Sequence, residues 1–261
     1  QATGLSDVLY FAAPDRGQSN LNLAQGAGAG MLPPDDRFPN RQPLAGGLGV
    51  LLDNAGDDTY TAAVFAQGTG RHLGAGFLID LNGVDTYTAR YGSIGAAELA
   101  AVGVLLEFDG DDRFNLNPDR TVGALMGHGG NLAAGMLLDL QGDDAYRFPS
   151  NSGGAGAFNG IGIFMDLSGT DTYTAVALTT LGAATLGVGE PDDPRRDVPT
   201  RGLFLDAGLE EDGYIRNDLE EQPEPFITND TSWTQRSDDT LPTEQGIGID
   251  GAGRTGFELE P

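Results

Sequence analysis

Adjacent carboxylates are the residues of this sequence with the clearest chemical potential. They occur as Asp57/Asp58, Asp111/Asp112 and Asp143/Asp144. Such pairs can serve general acid–base catalysis in glycosidases or lyases, and they can also bind hard cations. A catalytic pair needs one tuned environment, whereas these pairs recur in several equivalent copies. The repetition therefore favours a structural or metal-binding role, and we predict that the protein is not an enzyme.

The acids belong to a repeat that must position them. Its pattern is Gly, three apolar residues, an acid, two variable residues, Gly, a variable residue, Asp, a variable residue and an aromatic. The acid after the apolar triplet stands at positions 53, 80, 107, 139, 166 and 206, so a 27-residue unit dominates. The longer steps contain loop-like insertions around 117–119 and 190–199, as stacked repeats permit.

Each unit reads as short strands separated by turns. The apolar triplet is too short for a helix and is bounded by Gly- and Asp-rich turn signals. One coil per unit, stacked at about 4.8 Å, makes a parallel β-helix. We therefore predict an all-β fold, a parallel β-helix (β-solenoid) of about six 27-residue coils with irregular caps. Residues 1–44 form an N-terminal cap and degenerate first coil, 45–214 the solenoid, and 215–261 an acidic C-terminal loop and cap.

Composition excludes several classes of function. The chain has 39 Asp and Glu residues against 14 Arg, no Lys, no Cys and a formal charge of −25. Binding to nucleic acid or to an anionic membrane surface needs clustered cations, which are lacking here. No apolar run reaches the length of about 18 residues that spans a bilayer. The absence of Cys removes thiol chemistry and is typical of an extracytoplasmic protein, which is where we expect this one.

Stacking places the acids in two columns, one after the apolar triplets and one in the Gly-x-Asp steps. Like charges about 5 Å apart repel by roughly 1 kcal/mol in water and about 3 kcal/mol at an effective dielectric constant of 20. Two arrangements would compensate for this cost: backbone N–H bonds to each carboxylate within its own turn, or Ca²⁺ between successive turns. We predict the following candidate Ca²⁺ ligands: Asp53, Asp58, Asp80, Asp85, Asp112, Asp139, Asp144, Asp166 and Asp171.

The element Gly56-Asp57-Asp58-Thr59-Tyr60 and its copies resemble the second half of the calcium-binding nonapeptide of RTX-type β-rolls. That resemblance implies secretion and calcium-dependent folding, with the Asp of the Gly-x-Asp step as ligand. It covers about six residues per unit, and the nine-residue tandem and the leading Gly-Gly are missing. The whole pattern is also similar to repetitive bacterial β-solenoid proteins with a Gly-Asp-Asp-x-Tyr element per coil, a resemblance that implies no activity.

The apolar triplets predict a second apolar face. Alternate strand residues point to opposite sides, so three consecutive apolar residues cannot all face the interior. One register exposes a stripe that we predict to bind a partner. It comprises Leu51, Leu78, Leu105, Leu137, Phe164 and Phe204. The opposite register exposes the column from Val50 to Leu203 and the residues two positions on. The cover is either the chain's own terminal segments, the rest of a longer protein, or a partner chain.

The sequence thus predicts a non-enzymatic, extracytoplasmic structural solenoid, stabilised by Ca²⁺. It would dock to other protein chains as a surface, filament or assembly component, and a homo-oligomer is one such assembly. The alternative is a carbohydrate-binding or carbohydrate-cleaving β-helix, whose site would consist of residues that break the repeat. Arg71, Arg90, Glu98 and Arg120 are the candidates for such a groove.

Overall fold

The computed structural model describes residues 25–30, 46–115, 123–176, 179–185, 198–208, 210–216, 231–234 and 244–251. Over these ranges the chain is all-β without a helix, and its strands form one eight-stranded and two six-stranded sheets. All strand pairings are parallel except one at the C-terminal end. The described residues therefore confirm the predicted parallel β-solenoid. None of them lies in a helix that is long and apolar enough to cross a membrane.

Each of the first six coils contributes one strand to each sheet, and the last two described strands join the long sheet alone. The short sheet contains β1 (Gly28–Ala29), β4 (Gly70–Arg71), β7 (Ala97–Glu98), β10 (Gly129–Gly130), β13 (Gly156–Ala157) and β16 (Ala184–Thr185). The long sheet contains β2 (Leu48–Asp53), β5 (Ala75–Asp80), β8 (Val102–Glu107), β11 (Ala134–Asp139), β14 (Ile161–Asp166), β17 (Thr200–Asp206), β20 (Glu244–Asp250) and the antiparallel β19 (Ser232–Thr234). The third sheet contains β3 (Thr59–Thr61), β6 (Thr86–Thr88), β9 (Arg113–Phe114), β12 (Ala145–Phe148), β15 (Thr172–Ala175) and β18 (Gly213–Arg216).

The repeat sets the register between coils. Leu105 pairs with Leu137 across a step of 32 residues, and Phe164 pairs with Phe204 across a step of 40. The register is thus kept across both longer steps, whose extra residues lie mostly outside the described residues. The predicted N-terminal cap and acidic C-terminal loop also lie largely outside them. Of these regions the structure describes β1 and, at the other end, β18, β19 and β20.

The long sheet corrects the predicted partner-binding stripe. Its alternate residues are buried, and Leu78 and Leu105 have no exposed surface. Leu51 packs against the same core. The predicted stripe is thus the interior column of the solenoid, and the opposite register holds. The whole corrected set comprises Leu51, Leu78, Leu105, Leu137, Phe164 and Phe204.

Glycine explains why this register holds. On the inner side of the long sheet, Gly103 and Gly135 lie against the backbone of the short sheet, where an added Cβ would meet the carbonyl oxygens of Ala96 and His128 at 1.9 and 2.0 Å. Only a residue without a side chain permits this approach. The Gly, the Leu two residues later and the acid two residues after that share one face of the strand, so the apolar column and the strand-end acids both point inward.

Aromatic rings stack along the inner side of the third sheet. Tyr60 and Tyr87 lie 4.8 Å apart between ring centroids, and Tyr87 and Phe114 lie 4.7 Å apart, with nearly parallel planes. The column continues through Tyr146 and Tyr173 to Tyr214. Stacked rings bury large apolar areas, and they interact favourably at these separations.

Trp233 closes the C-terminal end of the core. Gly248 occupies the place that a leucine or phenylalanine takes in other coils, and the Trp233 ring fills the space that its side chain would need. The ring packs against Phe204, and its indole N–H donates to the backbone oxygen of Leu181 at 3.1 Å. The antiparallel strand β19 thereby covers one sheet edge, which an open solenoid would leave exposed.

Adjacent leucines test the register. We expect Leu105→Ala to lower the free energy of unfolding by about 2–5 kcal/mol, because it leaves a cavity in a fully buried column. Leu106→Ala removes the same atoms from the outward face, and we expect a loss of no more than about 1 kcal/mol. Chemical denaturation of both variants checks this. Equal losses, or a larger loss at position 106, would contradict the observed register.

Candidate functional site

Two columns of acids lie inside the solenoid at the corner between the long and third sheets. The strand-end acids occupy the last position of each long-sheet strand and pair in register from Asp53 to Asp250. The turn acids stand in the Gly-x-Asp steps. This arrangement confirms the two predicted columns. The strand-end acids are Asp53, Asp80, Glu107, Asp139, Asp166, Asp206 and Asp250, and the turn acids are Asp58, Asp85, Asp112, Asp144, Asp171 and Asp212.

The turn acids are bound by the backbone of the neighbouring coil rather than by their own turn. The N–H of Asp85 donates to Oδ1 of Asp112 at 2.6 Å, and the N–H of Asp112 donates to Oδ1 of Asp144 at 2.6 Å. The same bond links Asp58 to Asp85, Asp144 to Asp171 and Asp171 to Asp212. One oxygen of each accepting carboxylate thus ties two coils together. For the turn acids this cross-coil bond replaces the predicted cap within a single turn. The predicted cap does occur at the strand-end acids Asp53, Asp80, Glu107 and Asp206, which accept N–H groups of their own turns.

The strand-end acids accept hydrogen bonds from the tyrosine column. Tyr87 donates to Oε2 of Glu107 at 2.6 Å, and Tyr146 donates to Oδ2 of Asp139 at 2.7 Å. The Tyr60 hydroxyl donates to Asp80, while the Tyr173 and Tyr214 hydroxyls donate to the strand-end acids of their own coils. Burial, aided by the nearby carboxylates, raises the pKa of Tyr87 and Tyr146 far above the ordinary value of 10. The phenols therefore remain protonated donors at neutral pH.

Acids of the two columns converge into triads in which one carboxylate oxygen of each acid lies within 4.8 Å of one oxygen of each of the other two. Successive triads share the corner of the solenoid, and Asp144 belongs to two of them. All members are buried except Asp212, which is half-buried. The triads are Asp80/Asp85/Glu107, Asp112/Asp139/Asp144, Asp144/Asp166/Asp171 and Asp206/Asp212/Asp250.

Seven of the nine predicted ligands fall in these triads. Asp53 and Asp58 do not: Asp53 accepts the N–H of Asn54 at 2.7 Å within its own turn, and Asp58 is half-buried at the first described turn of its column. Sequence reasoning did not assign as ligands the four acids Glu107, Asp206, Asp212 and Asp250. Position in the repeat was the available signal, because the strand-end column includes Glu107, Asp206 and Asp250.

Several carboxylate oxygens in the triads accept no hydrogen bond from the described part of the chain. They are Oδ2 of Asp85 and Asp112, and Oδ1 of Asp139 and Asp166. Each is buried on a side chain with no more than 1% of its surface exposed. An unsatisfied oxygen of this kind carries the full cost of desolvation unless it is protonated or bound.

Burial and mutual repulsion make these acids hold protons. Burial is the larger cause, and it raises the pKa of Asp112 and Asp139 to about 7, from 3.8. The pKa of Glu107 rises to about 10 and that of Asp144 to about 11, for the same reason. Within a coil, the carboxyl groups of Asp139 and Asp144 lie within hydrogen-bond reach of each other. The corner therefore holds a chain of neighbouring carboxyl groups that bind protons more tightly than exposed acids do.

The chain matches no family model, no curated protein and no solved structure.

A second polar group, the Glu98 cluster, joins residues that break the repeat. The Glu98 carboxylate accepts the Tyr91 hydroxyl at 3.2 Å and the Asn131 side-chain amide at 3.2 Å. Nε2 of His128 lies 3.8 Å from it. Burial lowers the pKa of His128, against the opposing effect of Glu98. Both carboxylate oxygens are already engaged, so the cluster ties neighbouring coils together.

The predicted groove residues are only partly brought together. The Arg71 guanidinium lies over the Phe65 ring at 3.8 Å from its centroid, next to Glu98 in the short sheet. Arg90 is exposed elsewhere, and Arg120 lies outside the described residues. The carbohydrate site and the absence of catalysis stay predictions.

The outer apolar face lies on the side of the long sheet opposite to the acids. It is apolar at every outward position from β2 to β20 except Arg201 and Gln245. Leu48, Val50 and Leu52 on β2 are 71%, 58% and 63% exposed. The remaining members are Ala75, Phe77, Ile79, Val102, Val104, Leu106, Ala134, Met136, Leu138, Ile161, Ile163, Met165, Leu203, Leu205, Ile247 and Ile249.

The interior acids predict a stability that falls with rising pH when no divalent cation is available. Their pKa is raised in the folded protein, as for Asp112 and Asp139 at about 7, so the fold holds protons that the unfolded chain releases above about pH 4. This stabilisation is complete below pH 4 and is lost as the pH rises through 7. One net proton contributes about 1.4 kcal/mol per pH unit, so in EDTA we expect the melting temperature to be at least about 5 °C higher at pH 5.5 than at pH 8.

Neighbouring Asp residues supply the control for this experiment. Asp112→Asn keeps an acceptor for the Asp85 N–H and removes one buried proton site, so the pH dependence should shrink. Asp111→Asn, at the exposed preceding position, should leave it unchanged. A melting temperature that is constant or increases from pH 5.5 to pH 8 would contradict the assignment.

Proposed function

We infer that the protein is a non-enzymatic structural module, located outside the cytoplasm, that docks to another protein through its outer apolar face. The observation that carries this proposal is the continuity of that face across seven parallel strands. Soluble proteins rarely expose a contiguous apolar surface of more than a few hundred Å², and the largest such patch on a typical monomer, about 300–600 Å², is often functional.

The dimensions of the face suit a protein partner. Seven strands at about 4.8 Å, each with outward residues over about 15–20 Å, give roughly 500–600 Å². A stable interface buries about 800 Å² on each partner, so a polar rim would complete it. The outward side of the third sheet differs: it carries Thr86, Thr88, Thr172 and Thr174. The apolar character thus belongs to one face and is not a general property of the surface.

Charge selects the kind of partner. Two copies of a chain with a formal charge of −25 repel each other, and this opposes association of the face with itself. A partner with a flat apolar patch and a basic rim would be attracted over long range and would bury the same residues. We therefore assign the face to a different protein of net positive charge, as a component of a surface or assembly.

A pair of charge substitutions tests the docking face. We expect Ile163→Glu, at the centre of the face, to weaken binding of the partner at least tenfold, because a buried unpaired carboxylate opposes association. Thr174→Glu adds the same charge on the third sheet and should bind as the wild type does. A photo-reactive residue at position 136, compared with one at position 174, would cross-link and identify the partner, whose purified form is then titrated by calorimetry.

The outcomes separate the alternatives. Cross-links from position 136 alone to a basic protein, with affinity lost only in Ile163→Glu, would support the proposal. Cross-links only between copies of this chain, together with an oligomeric mass in light scattering, would show that the face mediates self-assembly and not docking to a different protein. Equal binding of the partner by both Glu variants would show that the outer apolar face is not the docking surface.

A further inference from the structure

Five acids, Asp144 and its neighbours in the two columns, lie together at the corner of the solenoid. They make up the two triads that share Asp144, and all are buried. The first triad bridges the third and fourth coils, and the second bridges the fourth and fifth. The five are Asp112, Asp139, Asp144, Asp166 and Asp171.

Hydrogen bonds satisfy only part of this group. Asp144 accepts the Asp112 N–H on Oδ1 and the Tyr146 hydroxyl on Oδ2, at 2.6 and 3.2 Å. Oδ1 of Asp139 and Oδ1 of Asp166 accept none, and both side chains have no exposed surface. Fully buried carboxylates with unsatisfied oxygens need a positive partner or a proton.

No arginine supplies that positive charge. Within the described part of the chain, none of the five acids forms an ion pair, and the chain contains no Lys. Without a cation, protons alone would have to neutralise most of the group. Two divalent ions would carry four positive charges against five carboxylates, which nearly balances the group at neutral pH.

The ligand chemistry selects a hard cation of calcium size. Only carboxylate and phenol oxygens converge here, without His or Cys, which disfavours zinc and other transition metals. Oxygens within 4.8 Å of one another fit around Ca²⁺, whose bonds of 2.3–2.6 Å span up to about 5 Å. Mg²⁺ demands near-ideal octahedral geometry and retains several waters, for which a buried corner leaves little room.

We propose that the two triads that share Asp144 bind Ca²⁺, one ion between the third and fourth coils and one between the fourth and fifth. Each ion would be held by strand-end and turn acids together, from two successive coils. This ligand set differs from the RTX-type turn, in which the resemblance implies the Gly-x-Asp residue alone. Binding would release the shared protons and lock the coils in register. The observations behind this proposal do not include the outer apolar face.

Calorimetric titration of the full chain tests this proposal. The protein is first treated with EDTA and dialysed at pH 7.5, and then titrated with CaCl₂ or with MgCl₂ at equal ionic strength. We expect Ca²⁺ to bind with proton release and to raise the melting temperature, and Mg²⁺ to produce less than half of that rise. In Asp144→Asn the stoichiometry of Ca²⁺ should fall by two ions.

Adjacent residues again give a matched control. Asp143→Asn removes the same charge at an exposed position, and its Oδ1 can still accept the Thr170 N–H, so Ca²⁺ binding should be unchanged. Asp144→Asn also removes a buried acid, so in EDTA it should melt no lower than the wild type. This result would separate loss of a ligand from loss of the fold. If Asp144→Asn does not fold, Asp166→Asn serves in its place and should lose one ion.

Three results would overturn the proposal. The first is a melting temperature of the EDTA-treated and dialysed wild type that CaCl₂ does not change, which would leave the acids neutralised by protons alone. The second is an equal loss of Ca²⁺ from the Asp143 and Asp144 variants, which would place the ions on exposed acids. The third is an equal response to Mg²⁺ and Ca²⁺, which would indicate screening of the net charge.

Discussion

The register between coils is the constraint on which the rest of the structure depends. Each coil places the same type of residue above the one before it, so every column is either favourable or costly along its whole length. Glycine columns such as Gly103 and Gly135 let two sheets touch, and the aromatic column buries rings at 4.7–5.4 Å. The same rule stacks carboxylates on carboxylates at the spacing of one strand. A solenoid of this sequence therefore exists only where its acid columns are neutralised or hydrogen-bonded.

One coil has phenylalanine where the others have tyrosine, and the hydrogen bonds from the tyrosine column to the strand-end acids change at that point. Tyr60 and Tyr87 donate to the strand-end acids of the following coil, whereas Tyr146 and Tyr173 donate to the acids of their own coil. The change occurs at Phe114, which stacks like a tyrosine but has no hydroxyl to donate. Because one phenol is missing, Asp139 takes its hydrogen bond from Tyr146. Asp139 is also the first strand-end acid along the chain with a buried oxygen that accepts no hydrogen bond. The shortage of hydrogen-bond donors thus begins at the triads around Asp144.

The period of the repeat was enough to predict the β-solenoid and both acid columns, since spacing alone decides what stacks. It was not enough to decide which side of the long strand faces inward, because three consecutive apolar residues fit either register. The glycine two residues before Leu105 carried the missing signal: a glycine in every coil makes sense only where backbones touch. Once that face is inward, Glu107 is inward as well, two residues further on. The Glu98 cluster could not be predicted, since Tyr91, His128 and Asn131 reach it from different offsets in the unit.

The interior acids and the outer apolar face are coupled because they alternate on the same strands. Leu138 points outward next to Asp139, and Met165 points outward next to Asp166. A strand cannot shift by one residue without exchanging its two faces, so whatever neutralises the acids also fixes the apolar surface. If the outer apolar face docks as proposed, proton or cation binding at the corner would act on docking through strand register, without any contact with the partner. Without neutralisation, repulsion between the interior acids would separate the coils at the corner. The outer apolar face consists of one strand from each coil, so it would lose its continuity when the coils separate.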